Sequence, residues 1–184
     1  LDKDFQNPYK CPWKLTFMAL LSKSKFLNGI QCPRLLWASI HKKEMIPEFS
    51  ISTLNNFKEG NNVGELAKKL FPEGIDIPTE DFSQNIQLSK EALTQNKPLF
   101  EPAIIVEQLY SRADVLVPAG DEWDIVEVKS GTKVKDINIW DVAFQKHVYE
   151  EAGLKIRKCF LMHINNEYVK QGEINPEELF VIEE

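Results

Sequence analysis

The chain has 184 residues, of which 43% are hydrophobic and 27% are charged, and this composition is ordinary for one soluble globular domain. Its formal net charge of -6 argues against a protein that coats nucleic acid without sequence preference. The apolar run 15–21 is too short to cross a bilayer, and lysines follow it where a signal peptide needs small residues. We therefore expect a cytoplasmic protein with no membrane contact.

In chain order, residues 1–20 look unlike the rest of the sequence and are interpreted as an N-terminal extension, in which Met18 is a candidate natural start. We expect residues 21–184 to form a single domain. Helix-start residues and apolar spacing predict helices at 23–28, 33–41, 51–70 and 86–95, with a break at Asn28 and Gly29. Further along, the sequence predicts strands at 99–108, 110–118, 123–130 and 156–164, a short strand around Tyr168, and a helix at 135–152. The order β-β-β-α-β predicts an α/β fold with a mixed central sheet flanked by helices.

The segment 111–130 carries the clearest local pattern. Two runs rich in Val, Leu and Ile flank a stretch with turn composition, which predicts an antiparallel β-hairpin. A turn centred just after Gly120 places Asp114 directly opposite Glu127, because successive side chains of a strand point to opposite faces. The other face of the hairpin then collects four valines, Val115, Val117, Val126 and Val128.

The polar face of this hairpin brings like charges together. Asp114 opposes Glu127, and Lys129 lies two residues beyond Glu127 on the same face. Carboxylates directly opposite each other destabilise a sheet, so a neighbouring cation is expected to offset the repulsion. A divalent ion bound by oxygen ligands would do so, and so would Lys129. An ordinary surface ladder of Lys and Glu side chains would give the same spacing.

The helix predicted at 135–152 adds two candidate residues. Gln145 and Tyr149 are four positions apart and therefore lie on one face of the helix. Gly153 follows the apolar pattern as a helix stop. The alternative interpretation is a half-buried amphipathic helix whose Gln and Tyr only cap the sheet.

An Asp followed by Glu-x-Lys on the next strand resembles the signature of the PD-(D/E)xK nuclease superfamily. Gln-x-x-x-Tyr on the following helix resembles the RecB-like branch of that superfamily, which includes the Cas4 nucleases. The resemblance implies a restriction-endonuclease-like core in which Asp114, Glu127 and the Val128 carbonyl bind Mg2+ or Mn2+ and Lys129 assists the attacking water. It also implies that the Gln and Tyr of the helix hold the DNA strand. The chemistry is consistent, because hard oxygen ligands suit Mg2+, which lowers the pKa of a bound water.

A wider resemblance, to the DUF2779 group of RecB- and Cas4-like domains, extends from Leu21 to the C-terminus. It rests on the segments 21–37, 60–74, 141–145, 161–165 and 179–180. One departure concerns the helix that usually carries a metal-binding His, where this chain has Gly64 followed by Glu65. Glu65 is a candidate replacement ligand, and a solvent-facing helical Glu is the alternative.

A second departure concerns iron-sulfur chemistry. Cas4-like proteins often bind a cluster through four cysteines, and Cys32 stands where the first of them would be. The chain contains only Cys11, Cys32 and Cys159, without Cys-x-x-Cys spacing, so we expect no cluster in this chain alone. The resemblance would place partner cysteines in an additional C-terminal domain beyond residue 184.

Two further side chains are candidates for the same centre. Glu101 precedes the hairpin and has the strand parity to approach Asp114, although Pro102 beside it indicates a sheet edge. Arg112 shares the face of Asp114 and could meet a phosphate. Ordinary surface positions are the alternative for both.

Together these patterns predict a metal-dependent deoxyribonuclease with Asp114, Glu127 and Lys129 as catalytic residues. We expect it to act on DNA with a free end, as an exonuclease does, or on single-stranded DNA, in DNA processing, repair or defence. Two alternatives belong to other classes of protein. One is a catalytically degenerate nuclease-fold domain that binds nucleic acid or protein without cutting. The other is an interaction module whose carboxylates pair only with Lys129 and Arg112.

Overall fold

The computed structural model describes residues 20–184, so Met18, Cys11 and all but the last residue of the predicted extension lie outside the described residues. This part of the chain is an α/β fold with a mixed sheet flanked by helices, as predicted. The helices are α1 (Lys23–Gln31), α2 (Pro33–His41), α3 (Ile51–Lys68), α4 (Phe82–Ala92), α5 (Asp136–Glu151) and α6 (Pro176–Leu179). The strands are β1 (Leu21–Ser22), β2 (Ile75–Asp76), β3 (Leu99–Phe100), β4 (Ala103–Val106), β5 (Leu109–Arg112), β6 (Val115–Ala119), β7 (Glu122–Lys129), β8 (Ile156–Ile164) and β9 (Phe180–Glu183).

The strands of residues 20–184 form two sheets. The larger has the order β2-β3-β6-β7-β8-β9, and the smaller has the order β1-β5-β4. β6 and β7 are antiparallel, whereas β8 runs parallel to β7 because α5 carries the chain back to the same end of the sheet. β7 therefore lies in the interior of the large sheet, and its side chains are covered on both faces.

The hairpin of β6 and β7 has the predicted register. Val115 pairs with Val126, which leaves Gly120 and Asp121 as a two-residue turn. Gly120 has a φ of 76°, in agreement with the glycine that a type II′ hairpin turn places first. The ladder between the two strands ends at Val115, although β7 continues to Lys129. The last residues of β7 are therefore released from β6.

Alternation along this hairpin divides the core into two layers. One face packs with α5 through a cluster that includes Leu116, Ile125, Phe144, Val148 and Tyr149. The valine face packs with α3 through a cluster that includes Ala67, Val115, Val126, Met162 and Phe180, with Val117 and Val128 beside it. Each large apolar side chain buried in this way contributes on the order of 2 kcal/mol. The predicted valine layer is confirmed.

The strands predicted at 99–108 and 110–118 are each broken in two, into β3 and β4 and into β5 and β6. The first break falls at Glu101 and Pro102. Glu101 has a left-handed φ of 57°, and Pro102 has no N–H to donate to a ladder. Continuous strands were the wrong expectation because the chain leaves the large sheet here and builds the smaller one.

The end of α1 and the strand predicted around Tyr168 also differ from the prediction. α1 has Ser22 as its N-cap and continues through the predicted break at Asn28 and Gly29 to Gln31. Tyr168 is not in a strand: its N–H closes a turn onto the Asn165 carbonyl, and its ring packs against the valine-side cluster. The strand that flanks β8 is β9 instead. Within residues 20–184, no helix is long and apolar enough to span a membrane.

Candidate functional site: a carboxylate and ammonium centre

A cleft opens where β7 extends beyond β6. Because the ladder has ended, the Val128 N–H is free to donate to Asp114 Oδ2, at 2.7 Å. This bond fixes the Asp114 carboxylate at the mouth of the hairpin. The cleft has a volume of about 510 Å³ and is bounded by the end of β7, the start of α1, one face of α3 and the end of β5.

Glu127 is the centre of the cleft floor and is only 2% exposed. Its Oε1 accepts hydrogen bonds from Lys23 Nζ at 2.9 Å and from Lys129 Nζ at 2.6 Å. Its Oε2 accepts from Gln145 Nε2 at 2.6 Å and from Lys23 Nζ at 3.1 Å. The structure therefore brings Lys129 to Glu127 as the strand parity predicts, and adds an ammonium group that the motif does not contain.

Asp141 is a third carboxylate that the sequence analysis missed. It is 2% exposed, and its Oδ2 accepts from Lys129 Nζ at 2.6 Å. Its Oδ1 accepts from Gln145 Nε2 at 2.9 Å. The amide of Gln145, fully buried, thus bridges Asp141 and Glu127 instead of facing open solvent. A signal was present, because Asp141 lies four residues before Gln145 and so shares its helix face.

Lys23 is the second residue that the sequence analysis missed. Besides its two contacts with Glu127, its Nζ lies 3.4 Å from Asp141 Oδ1. It comes from the first turn of α1, 104 residues before Glu127 in the sequence. No local pattern could have joined these residues, because helix and strand periodicity relate only neighbours within one element.

The electrostatics of the centre differ from residue to residue. Burial, together with repulsion from Glu127, raises the pKa of Asp114 to about 7. Burial also acts to raise the pKa of Glu127, but Lys23 and Lys129 outweigh burial and lower it to about 2. Burial acts to lower the pKa of Lys129, and the attraction of Glu127 and Asp141 reverses the effect and raises it. The centre therefore combines an ionised Glu127 with two ammonium groups.

Tyr149 fixes the two strand breaks that flank the centre. Its hydroxyl donates to the Pro102 carbonyl at 2.6 Å and accepts from the Ala113 N–H at 3.2 Å. These residues are the chain neighbours of Glu101 and Asp114, so the buried ring positions both carboxylates through the backbone. The resemblance implies that Tyr149 contacts DNA, whereas the described structure leaves its side chain with no exposed surface.

The remaining predicted residues line the walls of the cleft, and each is engaged by an oppositely charged partner. Arg112 Nε lies 2.8 Å from Glu101 Oε2. On the facing helix α3, Glu65 Oε1 lies 2.7 Å from Lys68 Nζ, which also lies 2.7 Å from Asp76 Oδ1. The cleft therefore contains cations as well as carboxylates, and these cations are already paired within the protein.

The two cysteines among residues 20–184 lie apart from the cleft lining. Cys32 is exposed at the N-cap of α2, and Cys159 is half-buried on β8, while Cys11 is outside the described residues. His163, at the end of β8, pairs with Glu183 across the ladder to β9, with Nε2 and Oε1 at 2.8 Å. The imidazole is therefore hydrogen-bonded at the end of its strand.

The chemistry of the donors suits a hard divalent ion, although their present arrangement does not. Among residues 20–184, no group of three or more His, Cys, Asp or Glu side chains is arranged to bind a metal ion as it stands. Lysine and glutamine donors occupy the oxygens of Glu127 and Asp141. Carboxylate oxygens facing one cleft are nevertheless the ligand type that Mg2+ and Mn2+ prefer.

No protein-family model matches the chain, and a search of curated proteins finds no relative. The site must therefore be interpreted from its own chemistry. By that criterion it is a buried centre of three carboxylates and two ammonium groups. Asp114, Glu127 and Lys23 line an open cleft, and Asp141 and Lys129 join them through ion pairs with Lys23 and Glu127.

Proposed function

We propose that this chain is a divalent-metal-dependent nuclease that hydrolyses DNA phosphodiester bonds, on a restriction-endonuclease-like core of the RecB and Cas4 type. The observation that carries the proposal is a buried network of Asp114, Glu127, Asp141 and the Lys129 ammonium beside one cleft, which Asp114 and Glu127 line. A purely structural ion pair has no need of an opening of about 510 Å³ above it. Buried groups with perturbed pKa values in a cleft are characteristic of functional sites.

Asp114, Glu127 and the Val128 carbonyl are the groups that would bind the ion, and Glu101, which lines the same cleft, is an additional candidate. The N–H and C=O of one strand residue point to the same side, so the Val128 carbonyl shares the side on which its N–H contacts Asp114. Glu65 is a weaker candidate because it pairs with Lys68 and is largely exposed. When bound, the ion would supply a Lewis acid and a water of lowered pKa.

The chain's own residues would orient the reaction. Lys129 bridges Glu127 and Asp141, where a fixed positive charge stabilises negative charge that develops on a phosphate oxygen. Arg112, at the rim, could exchange Glu101 for a phosphate of the strand. Gln145 and Tyr149 would act indirectly by positioning the carboxylates.

The first experiment is a calorimetric titration of Mn2+ into the wild-type protein and into Asp114→Asn. We expect saturable binding in the wild type and its loss in the variant, because Asn removes a charged ligand while keeping an acceptor for the Val128 N–H. Mn2+ binding of equal strength in both proteins would remove Asp114 from the site.

The second experiment measures cleavage of end-labelled single- and double-stranded DNA in Mn2+. Lys129→Ala should lose cleavage with an unchanged circular dichroism spectrum, whereas Lys155→Ala, at the turn end of the hairpin, should keep it. Lys155 is an informative control because it also pairs with a carboxylate, but in solvent. Undiminished cleavage by Lys129→Ala would refute the proposed role.

One observation favours a second candidate, a nuclease-derived domain that binds nucleic acid without cutting it. Each carboxylate oxygen of Glu127 already accepts two hydrogen bonds from protein donors. A Glu127 carboxylate whose oxygens are satisfied in this way needs no metal for stability. Binding of a labelled strand in a chelating buffer, together with no cleavage in Mn2+, would favour this candidate.

A further inference from the structure

The backbone that carries Lys23 is fixed at the rim of the cleft. Its neighbour Ser22 pairs with Tyr110 in the small sheet, and the Leu21 N–H donates to the Gln108 carbonyl at 2.8 Å. One turn further along α1, the Phe26 ring stacks on Phe144 of α5 with centroids 4.7 Å apart. The helix is therefore anchored at both points, and only the flexible lysine side chain can move in and out of the centre.

The Lys23 ammonium occupies a position of the kind that a metal ion would take. Its Nζ lies within 3.4 Å of three oxygens, two from Glu127 and one from Asp141. The side chain remains 22% exposed, so it has a path back to solvent. Glu127 has no such freedom, because it is only 2% exposed and lies on the face of β7 that packs against α5.

The net charge of the centre disfavours binding Lys23 and a divalent ion at the same time. The carboxylates of Asp114, Glu127 and Asp141 carry three negative charges when ionised, and Lys23 and Lys129 carry two positive charges, which leaves a net charge of -1. A divalent ion added to this set would create a positive excess in a buried place. If Lys23 withdraws as the ion enters, the net charge becomes zero.

We infer that Lys23 is a tethered cation that occupies the carboxylate centre in the absence of metal and is displaced when a divalent ion binds. This inference rests on the proposed function, because it concerns the same centre. The displaced ammonium, still attached to the rim, is then available to a phosphate of the strand. Metal and strand therefore favour each other's binding, and the coupling is reciprocal.

The decisive measurement is the Mn2+ dissociation constant of Lys23→Met by calorimetry, without nucleic acid. We expect this variant to bind Mn2+ roughly tenfold to a hundredfold more tightly than the wild type, because the competing charge is gone. Lys25→Met is the matched control. Lys25 is two residues further along the same helix and donates to the Leu20 carbonyl instead of the carboxylates, so its loss should leave the dissociation constant unchanged.

A second readout distinguishes a displaced cation from a merely structural lysine. In a chelating buffer, Lys23→Met should unfold at a lower temperature than the wild type because its buried carboxylates lose one of their two cationic partners. Mn2+ should then raise the melting temperature of the variant more than that of the wild type. If Lys23→Met does not fold, Lys23→Gln replaces it, since its amide can still donate to Glu127.

The outcomes separate this inference from the proposed function. Tighter Mn2+ binding with restored stability supports the exchange. Equal or weaker binding by a folded Lys23 variant overturns the exchange, while wild-type binding that is lost in Asp114→Asn would leave the metal site standing. If neither the wild type nor the Lys23 variant binds Mn2+, the metal-dependent function and the exchange both fail.

Discussion

The two ends of the β6–β7 hairpin contain ion pairs of the same length in opposite surroundings. At the turn end, Lys155 Nζ lies 2.6 Å from Asp121 Oδ2, with the side chains 67% and 81% exposed. At the open end, Lys129 Nζ lies 2.6 Å from Glu127 Oε1, with the side chains 25% and 2% exposed. The distances are identical, so distance cannot tell the two pairs apart.

The difference teaches that burial decides what a charge pair does. Water screens the exposed pair, and such pairs contribute little to stability. At the open end, removing either partner should destabilise the fold strongly, because the remaining charge would be poorly solvated and unpaired. The open end therefore keeps buried charged groups that a ligand can contact, whereas the ion pair at the turn end is an ordinary solvent-exposed pair.

Removing the Glu127 carboxylate should give the largest difference in stability between the two ends of the hairpin. Glu127→Gln leaves Lys23 and Lys129 with Asp141 alone, and we expect it to reduce the free energy of unfolding by about 3 kcal/mol. The measurement is urea denaturation at pH 7.5 in a chelating buffer. Asp121→Asn, at the turn end, should show no resolvable change. Equal losses in the two variants would contradict the contrast.

The second-largest effect should be a pH dependence of the unfolding free energy that is caused by the raised pKa of Asp114. Because its pKa is raised to about 7 in the folded state, the folded protein keeps a proton that the unfolded chain releases near pH 4. This contribution is therefore fully present below about pH 4 and is lost as the pH rises through about 7. Asp114→Asn should remove this decline. Its free energy of unfolding should therefore rise by about 1 to 3 kcal/mol relative to that of the wild type as the pH increases from 4 to 8.

The test of this prediction is a series of denaturation curves at several pH values in a chelating buffer. Asp121→Asn is again the control, because Lys155 lowers the pKa of Asp121 and its titration falls below this range. If the unfolding free energies of the wild type and Asp114→Asn change in parallel between pH 4 and 8, Asp114 does not carry the proton.

Backbone strain should give the smallest effect. Glu101 and Glu107 both have left-handed φ values, 57° and 51°, in which a β-carbon is unfavourable. Glycine at Glu107 should stabilise the protein by roughly 0.5 kcal/mol, after allowance for the more flexible unfolded chain. The gain at Glu101 should be smaller, because glycine there also removes the ion pair with Arg112. Only Glu101→Gly should also weaken Mn2+ binding, because Glu101 lines the cleft and Glu107 does not. Unchanged Mn2+ binding would leave the strain at Glu101 without a role in the site.

Local patterns predicted much of the fold. The helix at 135–152 and the strand at 156–164 match α5 and β8 closely, because the helix keeps helical apolar spacing and the strand contains a continuous apolar run. The broken strands near Glu101 and the strand β9 were not predicted. Their boundaries depend on which sheet the chain joins, and β9 is short, so local propensity carries little information about it.

The sequence by itself determined the hairpin register, the valine face and the meeting of Glu127 with Lys129, because strand alternation and turn chemistry act over a few residues. Tertiary structure alone decided that Asp114 would bond the Val128 N–H, and that Tyr149 would fix the strand breaks. It also brought Lys23 across 104 residues to Glu127. These contacts depend on how helices pack on the sheet, and packing is a property of the whole core that no short stretch of sequence encodes.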